Sequence, residues 1–158
     1  MIDKLDKTDI EILSLLQQNS NRTIKNIADI LGMTTTPIFE RIKKLEKRGF
    51  IDKYAAILNS KMLGLKLTVF VGITLKNHTR SYLEKFVTTI KGFTEVVECH
   101  RVSGNFDYLL KLTLVDIEAY EQFILTKLAI ISDVNNVQSY VALSQSKSTN
   151  EVNLDHLM

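Results

Sequence analysis

The chain has 158 residues, 45% of them hydrophobic and 24% charged, enough for one globular domain or two small ones, and a formal charge of +2 is too small to announce a nucleic-acid partner by itself. One cysteine excludes an internal disulfide framework and fits a reducing interior, while the opening MIDKLDKTDIEI is charged where a secretory signal is apolar. No apolar run reaches the about 18 residues that a membrane helix needs, so these features predict a cytoplasmic protein.

The charge is unevenly placed. Residues 1–60 hold ten Lys/Arg against eight Asp/Glu, and residues 61–158 hold ten against ten, so the positive excess lies in the N-terminal part. Within it, five basic side chains crowd between Arg41 and Arg48.

The first third reads as helices. Asp6 stands as the N-cap of a helix through LDKTDIEILSLLQQNS, with Asp9 in an acidic first turn. Ile10, Leu13 and Leu16 form its apolar stripe, widened by Ile12 and Leu15. A second helix, Thr23 to Leu31, sets Ile24, Ile27, Ala28 and Leu31 at the spacing of a buried face, and Gly32 ends it as a residue able to take positive φ. A third starts at Thr34 or Thr36 and runs to Arg48, stopped by Gly49, with Pro37 tolerated in the first turn where its missing N–H has no helical partner. Three short helices with a glycine turn before the last match a helix-turn-helix unit.

Residues 52–65, DKYAAILNSKMLGL, read as a short strand and connector, which places a domain boundary after residue 60. From Leu67 the period changes to two: LTVFVGITL alternates Leu67, Val69, Val71, Ile73 and Leu75 with Thr68, Phe70, Gly72 and Thr74. A helix follows with Leu83, Phe86, Val87 and Ile90 at helical spacing, closed by Gly92. Two strands, about 95–102 and 106–114, are joined by a Gly104-Asn105 turn. Another helix begins near Asp116 and buries Tyr120, Phe123, Ile124 and Leu128, and a last strand spans 137–143. The order βαββαβ predicts an α+β chain. A three-helix, winged helix-turn-helix domain over 1–60 precedes a ferredoxin-like domain over 61–158. The second face of its sheet is apolar enough to predict homodimerisation. The polar tail, SQSKSTNEVNLDHLM, reads as frayed or as an added edge strand.

At about 100° per residue, Ile38, Ile42 and Leu45 of the third helix fall in one narrow arc that must face the other helices. Thr36, Glu40, Lys43, Lys44 and Lys47 lie opposite, flanked by Arg41 and Arg48. A helix lying in the major groove presents the N-terminal part of its outer face, here Thr34, Thr35, Thr36 and Glu40, to base edges, and cations further along meet phosphates. On the cluster alone, a solvated basic face with cations at a helix C-terminus is the better reading. The glycine turn and the threonine-rich start favour double-stranded DNA.

TTTPIFERIKKLEKRGFI, the AILN after it, VFVGITL and ECHRVSGNFDYLLK together resemble the Lrp/AsnC family of feast/famine transcriptional regulators, over essentially the whole chain. The resemblance implies an N-terminal DNA-binding domain, a C-terminal ferredoxin-like effector domain, homodimers that assemble up to octamers, and modulation by a small amino acid, leucine or methionine in the branch most alike. It also implies an effector pocket at a Gly-x-x-Asp hairpin, here Gly104, Asn105, Phe106 and Asp107 followed by Tyr108, with Ser139 facing the same pocket. Asp107 would take an ammonium group, and Gly104 and Asn105 would offer N–H donors to a carboxylate. By spacing alone this stretch reads as a hairpin turn and a solvated strand end ahead of a pocket, and it is the resemblance that reverses the order. The family's commoner Ser-Pro opening of the recognition helix is replaced by Thr34-Thr35, and a threonine still serves as a cap.

Other chemistry is thinly represented. Cys99 beside His100 lacks a partner for nucleophilic work and reads as a packed thiol. His78, His100 and His156 are too scattered for a metal site, and no phosphate-binding glycine loop occurs, so no cofactor or metal is expected. Tyr and Phe positions read as core. Two rival classes remain at this level: a DNA-organising protein without an effector, and a small-molecule enzyme on a dimeric ferredoxin-like barrel, since fold does not fix function.

Overall fold

The computed structural model describes residues 5–157; the first four residues, part of the charged opening, and residue 158 lie outside the described residues. The chain forms two compact units, one running to Ile57 and joined by the tail from Lys147, the other spanning Leu58–Ser146. The tail, counted with the second domain by sequence, thus groups with the helical unit. Among the described residues, no helix is long and apolar enough to cross a membrane.

The helical unit opens with α1, Lys7–Gln18, started by a reciprocal cap. The Asp9 N–H donates to the Asp6 carboxylate at 2.8 Å, and the Asp6 N–H donates to the Asp9 carboxylate at 3.3 Å. Helix α2, Ile24–Leu31, is capped by Thr23, whose hydroxyl accepts the Asn26 N–H, and Gly32 closes it at φ 65°. Helix α3 covers Thr35–Lys47, and Gly49 takes φ 76° while the Phe50 N–H returns to the Leu45 carbonyl at 3.0 Å. Thr34 sits at the N-cap with extended backbone, but its side chain makes no capping bond. Helix α3 is therefore held by its packing rather than by its cap. Ile12, Leu16, Ile27, Ala28, Ile38, Ile42 and Leu45 form the core, with Leu13, Leu15, Ile24 and Leu31 half-buried at its margin.

The strand expected within 52–65 does not form. Residues 52–59 are exposed coil, ending in a turn over residues 60–64, because no neighbouring strand takes up their backbone groups. The wing is accordingly not built from strands among the described residues.

The second unit contains β1 (Leu67–Leu75), α4 (Arg80–Lys91), β2 (Val96–Arg101), β3 (Tyr108–Leu114), α5 (Ile117–Phe123) running into a π-helical turn at Ile124–Leu128, and β4 (Val134–Val141). The sheet order is β2-β3-β1-β4 with every neighbour antiparallel. Val69, Val71, Ile73 and Leu75 of β1 and Tyr108, Leu110, Leu112 and Leu114 of β3 turn one way and bury against Leu83, Phe86 and Ile90 of α4 and Tyr120, Phe123 and Leu128. Phe70 and Tyr140 stand on the opposite face in register. Cys99, expected to pack, is exposed on edge strand β2.

Candidate functional site

The outward face of α3 is built by what its inward face must do. Ile38, Ile42 and Leu45 are buried to 0%, 7% and 1% exposure, which leaves Thr36, Glu40, Lys43, Lys44 and Lys47 exposed on the far side, with Thr34 and Thr35 exposed at the N-terminus. Lys43 pairs with Glu46 at 2.8 Å and lies 5.8 Å from the centre of the exposed Phe39 ring. Thr34 makes no side-chain capping bond at the start of α3, and first-turn N–H groups left without an intrahelical partner favour an anion.

Two expected members of this face turn away from it. Arg41 reaches back to α1, its Nη1 lying 2.5 Å from Asp6 and 2.7 Å from Asp9, whose carboxylate is only 10% exposed. A guanidinium held by two carboxylates braces the two helices, its charge already matched within the helical unit. Arg48 is half-buried with its guanidinium 4.8 Å above the Phe50 ring. Periodicity placed both beside the stripe, and it carries no information on where a long flexible side chain ends.

In the second unit, the β2–β3 connection is a loop over residues 102–107 rather than a two-residue turn, with Gly104 at φ 128°. It is pinned to the end of β1. The Asp107 N–H donates to the Ile73 carbonyl at 2.8 Å, and the Val102 N–H donates to the Asp107 carbonyl at 3.1 Å. The β1–β3 ladder ends at Ile73 opposite Tyr108, and the Asp107 carboxylate continues it by accepting the Leu75 N–H at 2.8 Å. The same carboxylate lies 2.9 Å from His78 Nε2, on the turn between β1 and α4. Partial burial pushes Asp107 up, but the Leu75 N–H, His78 and the more distant Arg101 outweigh it and hold the carboxyl below its ordinary value. Asp107 is thus an ionised acceptor, 22% exposed, with lone pairs left for another donor.

The other expected pocket residues divide. Gly104 and Asn105 are exposed on the loop, and the Asn105 carbonyl accepts from Thr74 Oγ1. Phe106 folds over the sheet face away from the helices, its ring lying where a Cβ on Gly72 would come within 2.7 Å, and meets Tyr140 edge-on at 6.3 Å. Tyr108, expected beside Asp107, points instead into the core, 3% exposed and 4.8 Å from the Phe86 ring. Strand alternation forces this, since adjacent residues face opposite ways. Ser139 lies opposite Val71, on the helix-covered side, hydrogen-bonded to Tyr120. It borders an apolar groove of about 480 Å³ lined also by Ile117, Ile124, Leu125 and Val137. Phe106 and Ser139 are therefore on opposite faces of the sheet. His78, weighed in the sequence only as a metal ligand, lies instead against the Asp107 carboxylate from the turn after β1.

A helix-turn-helix unit with a cationic outer helix, joined to an antiparallel βαββαβ unit with a charged loop site, defines a DNA-binding regulator that carries a ligand domain. The family profile for winged helix-turn-helix DNA-binding matches residues 5–52, and that for the Lrp/AsnC ligand binding domain matches residues 68–152. The leucine-responsive regulatory protein of Haemophilus influenzae is 40% identical over 146 residues, covering 92% of this chain and 88% of that one. A transcriptional regulator from Neisseria meningitidis, solved in complex with L-Met, aligns at a TM-score of 0.94 with 32% identity, over 98% of this chain and 100% of that one. An AsnC family transcriptional regulator from Agrobacterium tumefaciens gives 0.92 and 36%, with the same coverage. The chain belongs to the Lrp/AsnC family of transcriptional regulators.

Proposed function

We propose that this regulator binds duplex DNA through Thr34, Thr35, Thr36, Glu40, Lys43, Lys44 and Lys47, and that a small amino acid binds at the 102–107 loop. The observation that carries the DNA reading is the outward stripe of Lys43, Lys44 and Lys47 behind an inward, fully committed apolar arc. Glu40 and the threonines read base edges, and the lysines neutralise phosphates. In the effector site Asp107 receives the ammonium group, while the exposed backbone of Gly104 and Asn105 offers donors to the carboxylate. Methionine is the first probe, because a regulator of similar fold was solved with L-Met, and leucine is the second.

Phe70, Phe106 and Tyr140 on the uncovered sheet face support a homodimer through that face, with octamers as the larger assembly. A cytoplasmic setting fits the same reading.

Operator binding of Lys44→Ala/Lys47→Ala across a salt series tests the interface. Each lost phosphate contact lowers the log–log salt slope by about one. An unchanged slope overturns the assignment. Calorimetry with L-methionine and L-leucine, on the native chain and on Asp107→Asn, tests the pocket. The variant loses about tenfold or more in affinity, and equal binding by both proteins overturns the role given to Asp107.

A further inference from the structure

We infer that Phe39 makes this regulator prefer thymine: its ring packs on the 5-methyl group of a thymine in the major groove. This rests on the reading of α3 as the helix that enters duplex DNA, and it adds Phe39 to the residues that read bases.

Phe39 is the one large apolar side chain that α3 leaves exposed, at 46%. At about 100° per residue it stands about 40° round the helix from Lys43, on the side away from Arg41. It therefore borders the outward stripe rather than joining the buried arc. Helical side chains lean toward the N-terminus of their helix, so the ring leans toward Thr35 and Thr36, the end that reaches base edges. The ring is also held. Lys43, one turn on, lies 5.8 Å from its centre and is itself fixed by Glu46 at 2.8 Å, whose carboxylate also accepts the Tyr54 hydroxyl at 3.1 Å. A ring already held in place has less freedom to lose on binding.

The chemistry of the ring selects the base. In the major groove the base edges present acceptors, amino donors and a single apolar group, the thymine methyl. Against that methyl the ring takes apolar surface out of water. Against the amino group of cytosine it leaves a donor without a partner. The lysines beside it supply attraction that is blind to sequence, so Phe39 adds specificity without adding charge.

The test starts from duplexes selected out of a random-sequence pool by the full chain. In the tightest-binding duplex each thymine is replaced singly by deoxyuridine, which removes the methyl and leaves every hydrogen-bonding group. The native chain should lose about fourfold in affinity at one or more thymines, the worth of one buried methyl. Phe39→Ala should bind the thymine duplex several-fold more weakly and be indifferent to deoxyuridine at those same positions. Its salt slope should match the native one, because no phosphate contact is lost. Phe39→Gln, polar at a similar reach, gives the same comparison independently of how Phe39→Ala folds. A native chain indifferent to deoxyuridine at every thymine, or Phe39 variants that respond as the native chain does, overturns the inference and leaves the DNA reading standing. A changed light-scattering mass in Phe39→Ala, with the thymine preference intact, assigns the ring to a contact between copies and also overturns it. Failure of the native chain to enrich any duplex overturns both.

Discussion

Arg41 on α3 and Asp9 on α1 lie 2.7 Å apart, 32 positions apart in sequence, and Asp9 is the one buried charged residue among the described residues. The pair ties the recognition helix to its support, and Asp6 closes the bridge at 2.5 Å. Removing the guanidinium strands a nearly buried carboxylate, so Arg41→Ala should cost about 1–3 kcal/mol of helical-unit stability. Arg41→Lys should recover part, because one nitrogen, Nη1, meets both carboxylates and an ammonium has donors enough for both but on a shorter stem. Chemical denaturation separates this from a direct DNA role. Arg41→Ala with native stability but lost operator affinity would contradict the brace.

Acid should weaken the same junction. The Asp9 N–H, and with it the Arg41 guanidinium, prevails over burial to hold the Asp6 carboxyl below its ordinary value. An unfolded Asp takes up its proton near pH 4, at about 3.9. The stabilisation is therefore complete above that pH and is lost as pH falls through the lower folded value. Thermal melts from about pH 6 down to 3 should show Asp6→Asn losing less stability than the native chain. Parallel curves would remove Asp6 from the account.

Gly72 explains how Phe106 reaches the uncovered sheet face. The φ angle at Gly72 is unremarkable, so what the position needs is space: a Cβ would lie 2.7 Å from the Phe106 ring carbons. Gly72→Ala should therefore displace the ring and destabilise the sheet unit by about 1–3 kcal/mol. Phe106→Ala added to it should relieve most of that penalty, a coupling readable from a double-mutant cycle. Additive effects would show that the two residues do not share the space.

What was legible in the sequence was whatever repeats along the chain. The strand Leu67–Leu75 and the buried arc Ile38, Ile42 and Leu45 follow from periods of two and 3.6, and both appear as read. The cap at Asp6 follows from local residue chemistry, while Thr23 and Asp116, legible only as helix starts, prove to be caps as well. Illegible were the features decided by long side chains meeting across the fold. Arg41 lies beside the basic stripe on a helical wheel, yet its end is fixed by carboxylates on another helix. Asp107 reads as a strand end, yet it completes a ladder with Leu75. The resemblance sets Tyr108 in the pocket, although alternation alone sends it to the opposite side. The strand expected in 52–65 failed for a related reason. Its composition suits an extended chain, but a strand exists only where a neighbour accepts its hydrogen bonds.

The tail is joined to α1 by a two-point amide pairing. Gln17 on α1 donates from Nε2 to the Val152 carbonyl at 3.1 Å and accepts the Val152 N–H at 3.0 Å, so a side chain copies the two-point pairing of a strand neighbour. Beyond it the chain turns once more over Asp155–Leu157. Both bonds are exposed, so each contributes only about 0.5–1.5 kcal/mol, and little else in the polar tail, apart from the half-buried Leu154 and Leu157, can supply apolar burial. Gln17→Ala should therefore free residues 147–157 while leaving the helical core Ile12, Leu16 and Ile27 intact. Hydrogen exchange should rise at Val152 and not in α1 or α2, and limited proteolysis should cut first in the tail. Gln17→Glu should restore only part of the protection, since a carboxylate accepts the Val152 N–H but cannot donate to its carbonyl. Unchanged protection at Val152 in Gln17→Ala would mean that the tail is seated by something other than this amide.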